Sequence, residues 1–215
     1  ADDQPETTFL GPDVAPSAAA VKACAEFLDT QPDGGLLAIC GSLLGWVEAG
    51  FDPLRDALER WLRRGILVAD TYGPPLAWFA ERPLQLIKIN AVELRTLYGD
   101  ATVPPALATA RERSPVIRWV VSDGPQAVWF RAGTGAPEQL VPPVVREVSA
   151  TGSGDVLLAC LLVSLFVQRR SLRAAVEAAL PLAAANAAHG GIAEFPWAGD
   201  ELLVHAQDSS NNVST

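Results

Sequence analysis

Short runs of consecutive apolar residues recur along the chain, each followed by a small-residue turn and then a helical stretch. The runs lie at 36–40, 66–69, 84–89 and 116–121, and each reads as a strand. They do not alternate apolar with polar residues, so both faces of each strand need cover. Helical patterns separate them at 16–28, 53–64, 91–97 and 104–113. The first has a proline in its first turn and Val21, Cys24, Ala25 and Leu28 on one face. The second stops at Gly65. Strands of this kind, parted by helices, build βαβ units and a mostly parallel sheet of the α/β class.

After Ser122-Asp123-Gly124-Pro125 the pattern changes. Residues 127–131 read as the return strand of an edge hairpin. Two long helices follow, at 154–168 and 172–188, parted near Ser171. The apolar run 156–167 is bounded by Asp155 and Arg169-Arg170. It is shorter than the roughly 20 residues a bilayer span needs, so it reads as a buried helix. The opening Ala1-Asp2-Asp3-Gln4 carries no signal-peptide pattern. One domain is expected over 1–208, with a polar tail at 209–215.

Composition narrows the function. Hydrophobic residues make up 49% of the 215, enough for a sizeable core, while the net charge is −9. No basic stripe exists for nucleic acid or an anionic membrane. A polyphosphate could still bind through backbone amides, a metal ion and one or two cations. Cys24, Cys40 and Cys160 have apolar neighbours and no metal-binding spacing; they are expected to be buried thiols in a reducing cytoplasm. His189 and His205 are read as surface or structural.

In a parallel α/β sheet, ligands bind at the carboxyl ends of strands. Four loops occupy such positions. In Thr151-Gly152-Ser153-Gly154-Asp155, two glycines flank one small residue at the start of an apolar helix. Backbone N–H groups can crowd an anion there, and the helix N-terminus adds positive potential. Asp155 suits acceptance of a proton from an attacking hydroxyl; the plainer reading is a glycine turn with an acidic helix start. In Lys88-Ile89-Asn90-Ala91-Val92-Glu93, the amide and the carboxylate stand three apart across a helix start. They could serve a hydrated Mg²⁺ or simply form a capping box. Ser122-Asp123-Gly124 fits a phosphate path or a hairpin turn. Gly41-Ser42-Leu43-Leu44-Gly45 fits a substrate loop or a strand-to-helix connection.

The order of the four loops resembles that of the PfkB, or ribokinase-like, carbohydrate kinases, and within them the 1-phosphofructokinase and tagatose-6-phosphate kinase branch. The likeness runs over 7–195. It implies a ribokinase-like three-layer sandwich. It implies Asp155 as catalytic base and the amides of Gly152, Ser153 and Gly154 as an anion hole. Asn90 and Glu93 would place Mg²⁺ through water. Lys88, Ser122 and Gly124 would serve the nucleotide phosphates, and Asn186 would lie near the adenine. Gly41, Ser42 and Asp70 would belong to the substrate side. The ligands implied are ATP, Mg²⁺ and a sugar or sugar phosphate, with a homodimer as a possible assembly in the cytoplasm. Ile89 and Leu44 stand where the family usually has proline, and Ser149-Ala150 where it usually has Asp-Thr. The family's Gly-Gly sugar motif, first strands and β lid have no counterpart here. Residues 6–12 look like the return from that lid, so the chain reads as an N-terminally incomplete kinase with an exposed apolar sheet edge. A non-catalytic binding protein derived from such a kinase is the alternative. A dehydrogenase fits poorly, because the glycine motif is late and is not G-x-G-x-x-G.

Overall fold

The structure, a computed structural model, describes residues 14–99 and 102–195. Residues 6–12, His205 and the tail 209–215 lie outside that range. Seven α-helices and six strands are described: α1 (Ala18–Asp29), β1 (Leu36–Gly41), α2 (Asp52–Leu62), β2 (Ile66–Thr71), α3 (Pro74–Ala80), β3 (Leu86–Asn90), α4 (Ala91–Tyr98), α5 (Val103–Arg113), β4 (Arg118–Asp123), β5 (Ala127–Ala132), β6 (Glu138–Leu140), α6 (Ser153–Leu162) and α7 (Leu172–Ala187). The strands form one sheet in sequence order, with β1, β2 and β3 parallel and β6 antiparallel to β5. This is the mostly parallel α/β architecture the apolar runs predict.

The chain divides into two compact units, Ala1–Val121 with Arg131–Pro137, and Ser122–Phe130 with Glu138–Thr215. In the first, β2 and β3 are sealed: Leu67, Val68, Ala69, Leu86, Ile87 and Ile89 are all buried. Each fully buried leucine or isoleucine contributes about 1.5–3 kcal/mol of transfer free energy. β1 differs. Its burial pattern is open, and Leu36 is 41% exposed. Among the described residues β1 pairs with β2 alone.

Local chemistry explains most helix ends. Pro16 lies just outside α1, whose cap is Ser17, the side chain accepting from Ala20 N at 3.2 Å. Cys24 is exposed rather than on the buried face, which holds Val21, Ala25 and Leu28; Cys40, on the open strand, is exposed too, and only Cys160 is buried. Gly65 does not act as a left-handed helix stop. Its added Cβ would lie 2.5 Å from Trp61 Cε2, so glycine makes room for that indole, whose Nε1 donates to Ile66 O at 3.0 Å.

In the second unit, α6 packs against α7. The predicted helix 154–168 is interrupted: α6 gives way to a π-helical turn at Val163–Val167, and Arg169 adopts φ 56°. Ser171 caps α7 by accepting from Ala174 N at 3.3 Å, and Pro181 lies inside that helix. Arg173 Nη2 and Glu138 Oε2 meet at 2.6 Å, tying α7 to β6.

Candidate functional site

In the first unit, parallel register brings two of the predicted loops and the predicted Asp70 to neighbouring strand ends. Cys40 lies opposite Asp70 and Gly41 opposite Thr71, while Ala69 lies opposite Ile87. Gly41 turns out of β1 at φ 78°, with open space where a Cβ would stand, so conformation rather than crowding calls for glycine. Thr71 Oγ1 donates to Gly41 O at 2.6 Å, and Ser42 is exposed just beyond.

Lys88 is buried at 6% exposure, and its Nζ donates to Asp70 Oδ2 at 2.7 Å. A buried ammonium needs such a partner. The next strand end carries a complete capping box. Glu93 N donates to Asn90 Oδ1 at 2.9 Å, and Asn90 N donates to Glu93 Oε2 at 2.8 Å. Burial pushes the Glu93 carboxyl above its ordinary value. The hydrogen bond from the Asn90 backbone opposes this, Asp70 adds to the rise, and Lys88 works against it. Asn90 and Glu93 line a cavity of about 610 Å³ with Tyr72, Gly73, Pro74 and Thr96. Sequence reasoning missed Tyr72; its signal was its place just past the acidic end of β2.

The oxygen set of Asn90 and Glu93 suits a hydrated divalent cation, which keeps several waters. Among the described residues no group of three His, Cys, Asp or Glu side chains could hold a metal directly. The elevated Glu93 carboxyl is the kind of group a nearby cation would favour in its charged form. The residues therefore fit water-mediated Mg²⁺.

In the second unit, the glycine-rich turn is built as an N-terminal helix cradle. Gly152 caps α6 at φ 80°, ψ −8°. An added Cβ there would lie 2.4 Å from Ile192 Cγ2, so both backbone and space demand glycine. Val156 N donates to Gly152 O at 2.9 Å, closing the first helical turn. The amides of Gly154 and Asp155 precede any intrahelical acceptor. Ser153 N donates to Ala150 O at 3.1 Å, so this predicted anion-hole amide also serves the turn. Asp155 sits exposed in the first turn of α6. Ser122 is the penultimate residue of β4, and Gly124 (φ 56°) stands in the hairpin turn, where Gln126 N donates to Asp123 O at 3.2 Å.

Asn186 is fully buried on α7. Its Nδ2 donates to Thr151 O at 2.9 Å and to Ser153 Oγ at 3.0 Å, while its Oδ1 accepts from Ala193 N at 2.7 Å. Just beyond, His189 Nδ1 accepts from Gly191 N at 3.1 Å, a structural use of that imidazole. Among the described residues no helix is long and apolar enough to cross a membrane.

The sequence matches the family described as pfkB family carbohydrate kinase over residues 81–198. Comparison with curated proteins gives no significant sequence match. Among solved structures, phosphofructokinase-2 from Escherichia coli in complex with potassium superposes with a TM-score of 0.75 at 25% identity, covering 86% of this chain and 60% of its own. The same enzyme in complex with fructose-6-phosphate gives 0.71 at 24% identity, covering 83% and 59%. Fructokinase from Vibrio cholerae, bound to fructose, ADP and calcium, gives 0.62 at 16% identity, covering 77% and 58%. The chain thus spans about 60% of the length of these enzymes.

Proposed function

The chain belongs to the pfkB family of carbohydrate kinases, and on that premise we propose that it serves transfer of the ATP γ-phosphoryl group to a hydroxyl of a sugar or sugar phosphate. One observation carries the reading: a glycine turn opens α6 with Asp155 exposed in the first helical turn. The turn supplies N–H donors for developing negative charge, and the carboxylate supplies a base. Fructose-6-phosphate on the Escherichia coli enzyme, and fructose with ADP on the Vibrio cholerae enzyme, support a sugar or sugar phosphate as acceptor.

The acceptor oxygen attacks the γ-phosphorus, the bond to the β–γ bridging oxygen breaks, and ADP leaves. The hydroxyl proton passes to Asp155. The amides of Gly152, Ser153 and Gly154 hold the charge on the equatorial oxygens. Lys88, Ser122 and Gly124 are assigned to the nucleotide phosphates, and Gly41, Ser42 and Asp70 to the substrate side. Asn90 and Glu93 would hold Mg²⁺ through water, and the ion would supply neutralising charge for the polyphosphate. The cytoplasm, where ATP and sugar phosphates occur together, is the proposed setting.

The second reading is a non-catalytic nucleotide- or sugar-phosphate-binding protein derived from such a kinase. Coupled ADP-release assays across sugars and sugar phosphates, beside calorimetric titration with Mg-ATP, separate the two. The kinase reading expects turnover, and Asp155→Asn to lower kcat by about 10²–10⁴-fold with ATP affinity retained. Binding without turnover on any sugar would transfer the assignment to the second reading.

A further inference from the structure

We infer that Asn186 is a positioning residue that aims the backbone of the glycine turn, rather than a ligand of the nucleotide base. The inference deepens the kinase reading and rests on it for its functional meaning. Its geometric basis is independent. The Asn186 amide has two N–H donors, and both are engaged, by Thr151 O at 2.9 Å and Ser153 Oγ at 3.0 Å. Its oxygen faces Ala193 N at 2.7 Å, and the side chain is fully buried. The reverse amide orientation would put oxygen against the Thr151 carbonyl and NH₂ against the Ala193 N–H. The contacts therefore fix which way the amide points.

The consequence lies in the peptide plane. Thr151 C=O and Gly152 N–H belong to one trans peptide unit and point in opposite directions. Holding the Thr151 carbonyl against Asn186 turns the Gly152 N–H away from α7, toward the side where the turn can meet an anion. The bond to Ser153 Oγ fixes the next residue. Left-handed Gly152 between them has no side chain to resist rotation, so an external clamp is needed for a preorganised donor set. The bond from Ala193 draws in the segment after α7, where Ile192 closes on Gly152 with Cγ2 2.4 Å from the position of an added Cβ. One buried amide thus ties both sides of the turn.

The test uses the whole 215-residue chain and its Asn186→Ala and Ser153→Ala variants. Hydrogen-exchange mass spectrometry follows the peptide covering 150–156, with the β2 peptide as internal control. Circular dichroism checks the fold. Removing two loop contacts in Asn186→Ala is expected to speed exchange in 150–156 by about tenfold or more, and Ser153→Ala by less, with β2 unchanged. Titrations with Mg-ATP and Mg-GTP read the alternative role. A positioning residue leaves the ATP-to-GTP affinity ratio unaltered, whereas a base ligand loses it. Unchanged exchange at 150–156, loss of the ATP-to-GTP ratio, or collapse of the whole Asn186→Ala fold would each overturn the inference. If the parent chain binds neither nucleotide, the kinase reading fails, while the exchange contrast still decides the clamp.

Discussion

Lys88 and Asp70 form an ion pair across adjacent parallel strands, Nζ to Oδ2 at 2.7 Å, with side chains only 8% and 16% exposed. Removing one partner breaks the charge compensation of a pair that water reaches poorly. Lys88→Met is expected to lose about 3 kcal/mol or more of unfolding free energy in urea. The double variant Lys88→Met/Asp70→Asn is expected to recover much of that loss. A double variant no more stable than the single one would mean the pair contributes through something other than charge compensation.

Glu93 makes stability depend on pH. Burial raises its carboxyl in the folded chain above the ordinary value, so folding favours the protonated form. The stability this group contributes is full below the unfolded carboxyl value and is lost as pH rises through the elevated folded value. Glu93→Gln keeps a capping-box side chain but cannot titrate. Its unfolding free energy is expected to fall less than that of the parent as pH rises from the unfolded carboxyl value through the elevated folded one, the gap growing in its favour over that range. Parallel pH curves for the two proteins would refute the assignment.

Gly152→Ala should be costly for two separable reasons. The left-handed conformation penalises any Cβ by about 1–2 kcal/mol, and Ile192 occupies the space it needs. Thermal unfolding of Gly152→Ala, Ile192→Ala and the double variant tests this. The double variant is expected to recover the steric part and retain the conformational part. Full recovery would show that backbone strain is absent.

Gly65→Ala is expected to cost about 1–3 kcal/mol by overpacking against Trp61. Trp61→Phe in that background should return part of the loss, since the clash is with indole atoms. A Gly65→Ala chain as stable as the parent would show that the indole moves aside freely.

What could be read in advance follows physical scale. The four parallel-type strands, the hairpin and the longer helices announce themselves through runs of apolar residues or helical spacing. α3 did not, because it opens with Pro74 and Pro75 and is only seven residues long. β6 did not, because its three residues begin with Glu138 and Gln139 and hold their place by pairing with β5. The capping box at Asn90 and Glu93 was legible because it is local. The Lys88–Asp70 pair was not, since it depends on β2–β3 register across 18 residues. The clamp at Asn186 spans 35 residues to Thr151 and needs the packing of α6 on α7. Cys24 and Cys40 misled because apolar neighbours in sequence do not ensure burial on a helix's outer face or an open strand.

The two-sided pairing of β2 should leave a mark on its chemistry. Along a parallel strand, successive amides point alternately to the two flanks. Deuterium uptake at Val68 and Ala69 of β2, which is bordered by a strand on each flank, should therefore be slow at both successive residues, with no two-residue beat.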